Sequence, residues 1–592
     1  MNSFQRLKTL LLGAIAVVSM TLDPVASRAQ FTVVDITPVA STALVTSSVG
    51  RQQAGYFRAK AGSATHACYW NATPANIDLN PSGFSESYAE GIFGGRQVGF
   101  GRKATYSDQH AMLWSGTSGS AVDLNPLNLT GSRAYGISAD QQVGYGAGTA
   151  TGNVNHALLW RGTATSVIDL NPMNFTTSQA LGVSANIQVG FGSGPTTQNV
   201  NHALLWRGTA ASAVDLNLAG WKTSEANARS GGQIVGRGFP TGNSSGQHAI
   251  LWLNTGASTL DLHPTSWITS VAYSVYGGRQ AGAGQNPSGF WHALAWSGSA
   301  ASMVDLHALL PANMVQSWAT GINAKGDVVG YAQDAATVSY AILWRRNSPA
   351  TLLFQNSTSG QLASWTLTGT AVTGSETISP VPGNDWKAVA SGDFNNDGQP
   401  DMLFQNRSTG QLAVWYRNGS ALIGGVTLSP TPSAGYQVVG VGDFNGDGYV
   451  DLVFQQAGTG RIAIWYLQGV TLIGATTLNT TPAAGFTVQA VADLNGDGSP
   501  DLLFQNSSTG QLALWYFSGT TLIGSGLVNQ SAVSGWVVRG VSDLNNDGLP
   551  DLVFQNRNSG QLAVWYLQGT LYQSGALVST VPAAGYVLTV TR

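Results

Sequence analysis

Cysteine is almost absent from this chain, and charge is scarce. Cys68 is the only cysteine among 592 residues, so no intramolecular disulfide can hold the fold. It stands in "HACYW", where sister segments carry Met112, Leu158, Leu204, Ile250, Leu294 and Ile342, and reads as a small buried apolar residue, not a catalytic thiol. Only 9% of residues are charged. Without residues 1–29 there remain 23 basic and 28 acidic residues, a net of −5 that leaves no nucleic-acid footprint. The longest apolar run comes at the start. Arg6 and Lys8 precede "LLLGAIAVVSM", and "SRA" (27–29) offers a cleavage site before Gln30, the pattern of a secretory signal peptide over 1–29. That run is short for a membrane span, and no later stretch equals it. The expectation is a secreted (or periplasmic) soluble protein with no membrane span.

Glycine, by contrast, is abundant (74 residues), among short Val, Ile, Leu and Trp runs, which favours an all-β chain over disorder. The chain is too long for one core. From 30 to 346 a unit recurs about every 46 residues. One landmark is "VDL" or a variant, at Asp35, Asp78, Asp123, Asp169, Asp215, Asp261 and Asp305. Another is a Gly-ended apolar segment such as "SRAYGISADQQVGYG". The third is "HALLW" or a variant, at His66, His110, His156, His202, His248, His292 and, with Tyr in place of His, Tyr340. A unit of this size holds several strands and cannot bury both faces alone, so it stacks radially as a propeller blade. These residues resemble the bacterial HAF-type extracellular repeat, departing at Tyr340 and at "AGAG" (281–284). The resemblance implies a β-propeller, and the seven copies of each landmark make it seven-bladed over 30–346.

After a short linker (347–350), a different unit of 50 residues occupies 351–592, with Phe354, Phe404, Phe454, Phe504 and Phe554 at equivalent places. Its first strand is missing before Thr351 and stands instead at the end, as "YVLTVTR" (586–592). A C-terminal strand that completes the first blade closes a five-bladed ring without an exposed edge. Only four copies of the acidic segment "DFNNDGQPD" (393–401) then remain.

That segment carries oxygen donors at the spacing a calcium ion needs. The first set is Asp393, Asn395, Asp397, the carbonyl of Gln399, and Asp401. The second is Asp443, Asn445, Asp447, Tyr449 (carbonyl) and Asp451, and the third is Asp493, Asn495, Asp497, Ser499 (carbonyl) and Asp501. The fourth is Asp543, Asn545, Asp547, Leu549 (carbonyl) and Asp551. An EF-hand would place Glu at loop position twelve, where Phe404, Phe454, Phe504 and Phe554 stand. The four loops look like those of FG-GAP (VCBS-type) repeats, as in integrin-like propellers, over 351–592. The region holds 14 acidic and 7 basic residues, so about four Ca²⁺ would offset clustered carboxylates. The ions are expected to staple blades.

No catalytic constellation stands out. Twelve of the 24 Asp after residue 29 lie in the loops and seven in the "VDL" landmark, and the remaining acids scatter. The repeated His, the landmark Asp and the Ser of the "SxA" segment are expected to form a hydrogen-bond network inside each blade. Amides near indoles make candidate ligand contacts at Gln405 with Trp415, Gln455 with Trp465, Gln505 with Trp515 and Gln555 with Trp565, although packing is the competing role. The reading is a calcium-binding, non-enzymatic protein for extracellular protein or glycan binding or adhesion. A secreted carbohydrate-active enzyme, lyase or hydrolase, is the alternative.

Overall fold

The computed structural model describes residues 30–591 apart from 39–40, 60–61, 106–107, 243–245, 254–255 and 257. The expected signal peptide lies outside the described residues. The described residues are all-β and form twelve antiparallel four-stranded sheets. Seven are made by residues 31–346 and five by residues 350–591.

Within the first seven sheets the order is fixed by what each strand buries. The third strand, "HALLW" in His156–Trp160, has Ala157, Leu158, Leu159 and Trp160 all buried. A strand buried on both faces needs a sheet on either side, and each sheet finds one in its neighbours. Trp70, Trp114, Trp160, Trp206, Trp252, Trp296 and Trp344, one per sheet, are each no more than 1% exposed. The first strands touch in a closed series, and the cycle returns from Met314–Ile322 to Thr42–Val49. Closure is made by Phe31–Asp35, which pairs antiparallel with Ser339–Arg346 and supplies the fourth strand of the last sheet. Asp35, the first "VDL"-type landmark, therefore belongs to the last sheet.

Four of the five C-terminal sheets repeat one plan: first strand, acidic loop, "FQN"-type strand, "LAVWY"-type strand and outer strand; the remaining one, with Ala350–Asn356, keeps the strands without an acidic loop among the described residues. The strand Tyr586–Thr591 pairs with Ala350–Asn356, with Phe354 opposite Leu588, so the chain's end completes the first of these sheets as expected. That partner strand starts at Ala350, the last residue of the expected linker. The five first strands also touch in a closed series.

Candidate metal loops and the face between the rings

Each acidic loop joins the end of a first strand to its "FQN" strand. In the first copy the loop follows Trp386–Gly392 and ends at Asp401–Asn406. Asp401, Asp451, Asp501 and Asp551 have no exposed surface. Asp401 accepts the N–H of Phe394 at 3.0 Å and of Arg417 at 2.9 Å, tying the loop to the third strand of its sheet. Asp393 accepts the N–H groups of Asp397 (3.0 Å) and Gly398 (2.8 Å), and Asn395 Oδ1 that of Asp397 at 3.1 Å. The N–H groups of Gln399, Tyr449, Ser499 and Leu549 donate to Asp397, Asp447, Asp497 and Asp547 respectively. The other copies keep this register: Asp443, Asp493 and Asp543 accept from Gly448, Gly498 and Gly548. Asn445, Asn495 and Asn545 reach Asp447, Asp497 and Asp547.

In this arrangement the loop carboxylates face backbone amides, and among the described residues no three His, Cys, Asp or Glu side chains converge as a metal cage. The donor chemistry nevertheless suits a hard cation. Every loop offers three carboxylates and an amide oxygen, with no sulfur or imidazole. Few cations offset the carboxylates: Arg229 acts on Asp447, and Lys325 on Asp493 and Asp543. Burial pushes Asp501 up to about 8 and Asp551 to about 7; burial and then neighbouring Asp443 push Asp451 to about 8. Burial and then Asp447 push Asp443 to about 7.

These loops form the face that meets the N-terminal ring. Its partners are the hairpin tips between first and second strands, together with Arg345 near the end of the third strand Ser339–Arg346. The N–H of Arg51 donates to Gly496 O at 2.9 Å, that of Gly231 to Asp447 O at 2.9 Å, and that of Ala185 to Gly446 O at 3.2 Å. Ser184 Oγ donates to Gly446 O, Arg279 to Gly398 O and Arg345 to Asn546 O. Lys325 bonds Gly548 O and lies 4.0 Å from Asp543. Partly buried Tyr276 hydrogen-bonds Asp443 through its hydroxyl. The approach is close enough to exclude side chains. A Cβ on Gly50, itself at φ +51°, would come within 2.6 Å of Gly496 O.

The histidine landmark forms a different network from the one expected. His66, His110, His156, His202, His248 and His292 each place Nδ1 2.7–2.9 Å from the landmark Asp. The serine comes from the next sheet and bonds the Asn two residues beyond that Asp. Ser87, Ser132, Ser178 and Ser224 donate to Asn80, Asn125, Asn171 and Asn217 at 2.6 Å. Each Oγ also accepts the N–H after the histidine, as Ser87 does from Ala67 at 3.0 Å. His263 and His307 replace this Asn and bond Ser270 and Ser317. The network staples neighbouring sheets; it is not confined to one blade, because a buried hydroxyl between sheets must be satisfied from both.

The amides and indoles of the "FQN" and "LAVWY" strands take part in packing between sheets. Gln405, Gln455, Gln505 and Gln555 are buried, and their amide oxygens accept the N–H of Val438, Val488, Val538 and Leu588 in the next sheet at 2.9–3.0 Å. Gln405, Gln505 and Gln555 also donate to Tyr436, Trp536 and Tyr586 carbonyls. Trp415, Trp465, Trp515 and Trp565 pack on Phe404, Phe454, Phe504 and Phe554 with ring centroids 4.6–4.9 Å apart. Through these hydrogen bonds the amides staple neighbouring sheets. Cys68 is fully buried, and burial raises its thiol well above the ordinary value.

The family model that matches is the FG-GAP-like repeat, at residues 393–454 and 443–504, two overlapping segments that each span two loops. No curated protein matches the chain. Among solved structures, one is from a study of two prolyl endopeptidases, with TM-score 0.37 and 11% identity over 67% of this chain and 57% of that one. Another, a puromycin hydrolase, has TM-score 0.38 and 10% identity over 65% of this chain and 60% of that one. The β-propeller domain of the Trilobed protease from Pyrococcus furiosus has TM-score 0.37 and 11% identity, covering 57% of this chain and 99% of that one. The expectation that the chain is not an enzyme is corrected on these matches, since they include peptidases, and it is withdrawn. At these scores the likeness carries no argument for a peptidase activity here. No helix among the described residues is long and apolar enough to cross a membrane.

Proposed function

We propose that the chain is an exported, calcium-stapled binding protein whose two propellers, one HAF-like and one FG-GAP/VCBS-like, form a single extracellular scaffold for a protein or glycan ligand. The observation that carries the reading is the fourfold loop with its rooted aspartate, repeated without loss of register and turned toward the other ring. In each loop the two carboxylates and the Asn side chain of the first five positions would hold a Ca²⁺, with the carbonyl two residues after the second aspartate and the rooted aspartate completing the set. The bound ion supplies positive charge to buried carboxylates and does no chemistry. Hairpin tips that bond the loop backbone would then be held only while the loop is ordered, so the same ions couple the rings.

The test is calcium titration of chelator-stripped protein by calorimetry, with thermal melts alongside. About four ions bound and a melting temperature raised by calcium are expected. No calcium binding, or an unchanged melt, contradicts the reading.

A further inference from the structure

The C-terminal ring encloses a cavity of about 710 Å³ on its axis, lined by all five first strands at the end away from the acidic loops. Its wall alternates polar groups from successive strands: Lys387, Gln437, Thr487 and Gln489, Arg539, and Thr589. No carboxylate lines it, although the region around it carries twice as many acidic as basic residues.

The two cations stand without partners. Among the described residues neither Lys387 nor Arg539 has an ion pair or side-chain hydrogen bond, and Arg539 Nε is buried with none. Lys387 is exposed at the cavity and Arg539 half-buried, and the two unpaired cations facing it repel each other, a repulsion that a bound anion relieves. Burial, and then Arg539 and Arg407, lower the Lys387 ammonium from its ordinary value. Burial, and then Arg557, lower the Arg539 guanidinium.

Between the cations Thr487, Thr589 and Gln489 donate within the protein, to Gln505 O, Leu353 O and Thr487, which leaves their side-chain oxygens as acceptors and the Gln437 amide as donor and acceptor for a hydroxyl-rich molecule, and Phe486 adds an apolar wall. The volume lies within the range of about 300–1,000 Å³ usual for small-ligand pockets. We propose that this axial cavity binds an anionic saccharide, with Lys387 and Arg539 gripping its acidic group, the Gln437 amide bonding its hydroxyls, and the side-chain oxygens of Gln489, Thr487 and Thr589 accepting from them. The proposal rests on the reading of the chain as a binding protein and names its ligand class. It does not depend on calcium in the loops.

The test is titration calorimetry of the full chain with a glucuronate-bearing disaccharide, its methyl ester and inorganic sulfate. The acid is expected to bind, and the ester to bind at least about tenfold more weakly, as loss of charge-assisted hydrogen bonds implies. The double variant Lys387→Gln with Arg539→Gln should lose the acid by a similar factor, while Lys387→Arg with Arg539→Lys retains it. Equal binding of acid and ester, or full binding by the Gln double variant, overturns the site. Sulfate binding without disaccharide binding overturns the saccharide assignment. Calcium titration of the same samples reports separately on the loops, so failure there is distinguishable from failure here.

Discussion

Gly231 donates its backbone N–H to the carbonyl of Asp447 at 2.9 Å, joining a hairpin tip of the N-terminal ring to an acidic loop of the C-terminal ring. Gly231 sits at φ +55°, and a Cβ there would press on Asn396 and lie 3.2 Å from Gly448 O. The rings meet here backbone to backbone.

Gly231→Ala should therefore cost about 2–3 kcal/mol, from the left-handed backbone and from the wedge it drives between rings. Gly277→Ala supplies the control. Its φ is +49°, but nothing lies within 4 Å of its Cβ position, so about 1 kcal/mol is expected. Urea unfolding of both variants measures the difference, and equal costs would remove the interface from the explanation.

The loop aspartates should separate into two kinds. Asp401 is buried and accepts two backbone N–H groups, so Asp401→Ala should cost about 3 kcal/mol or more with or without calcium. Asp397 is exposed, and Asn at that position still accepts the Gln399 N–H. Asp397→Asn should change stability by less than about 0.5 kcal/mol in chelator, yet lower the calcium-dependent gain in melting temperature.

Acid sensitivity should trace to two histidines. Burial, then His292 stacked at 4.1 Å, lowers His307 from 6.5 to about 4, and His263 moves in the same direction. Between those values the unfolded chain takes up a proton that native His307 refuses, so stability falls as pH drops through that window. His263→Asn with His307→Asn restores the residue used in four sister units and should recover about 1–2 kcal/mol at the acid end, solvent screening part of the charge. Melts of the variant across the window check this, and an unaltered acid slope would assign the loss elsewhere.

The inter-sheet role of Gln505 is testable in the same way. Gln505→Leu removes the bonds to Trp536 O and Val538 N–H, both at 3.0 Å, and leaves a buried N–H unpaired. Destabilisation of about 1–3 kcal/mol is expected in denaturant titration.

Repetition explains how much of this architecture the sequence discloses. "HALLW", "VDL" and "FQN" recur in register, so strand content and the closing role of Tyr586–Thr591 can be read from spacing alone. The same logic reaches Asp35 only by counting: its landmark comes before any "HALLW", which marks it as the displaced fourth strand of the last sheet. Partners across sheets are harder to read. Ser87 and Asn80 belong to adjacent sheets, and nothing in a periodic sequence says whether a polar group bonds within its unit or to the next. Gln405 and Trp415 look like a ligand pair because proximity in the chain does not reveal that the amide is already spent on Val438. Contacts between the rings leave the least trace. The pairing of Arg51 with Gly496 joins two repeats of different period, and its only sequence sign is glycine at both surfaces.

Hydrogen exchange of the full chain, in calcium and in chelator, tests the central claim most directly. The amides of Arg51, Ala185 and Gly231 bond loop carbonyls, whereas those of the "HALLW" strands lie in the core. Chelation should speed exchange in the four loops and at the three hairpin tips by about tenfold or more while the "HALLW" strands stay protected. Identical uptake at loops and tips in both conditions would contradict calcium as the staple between the rings.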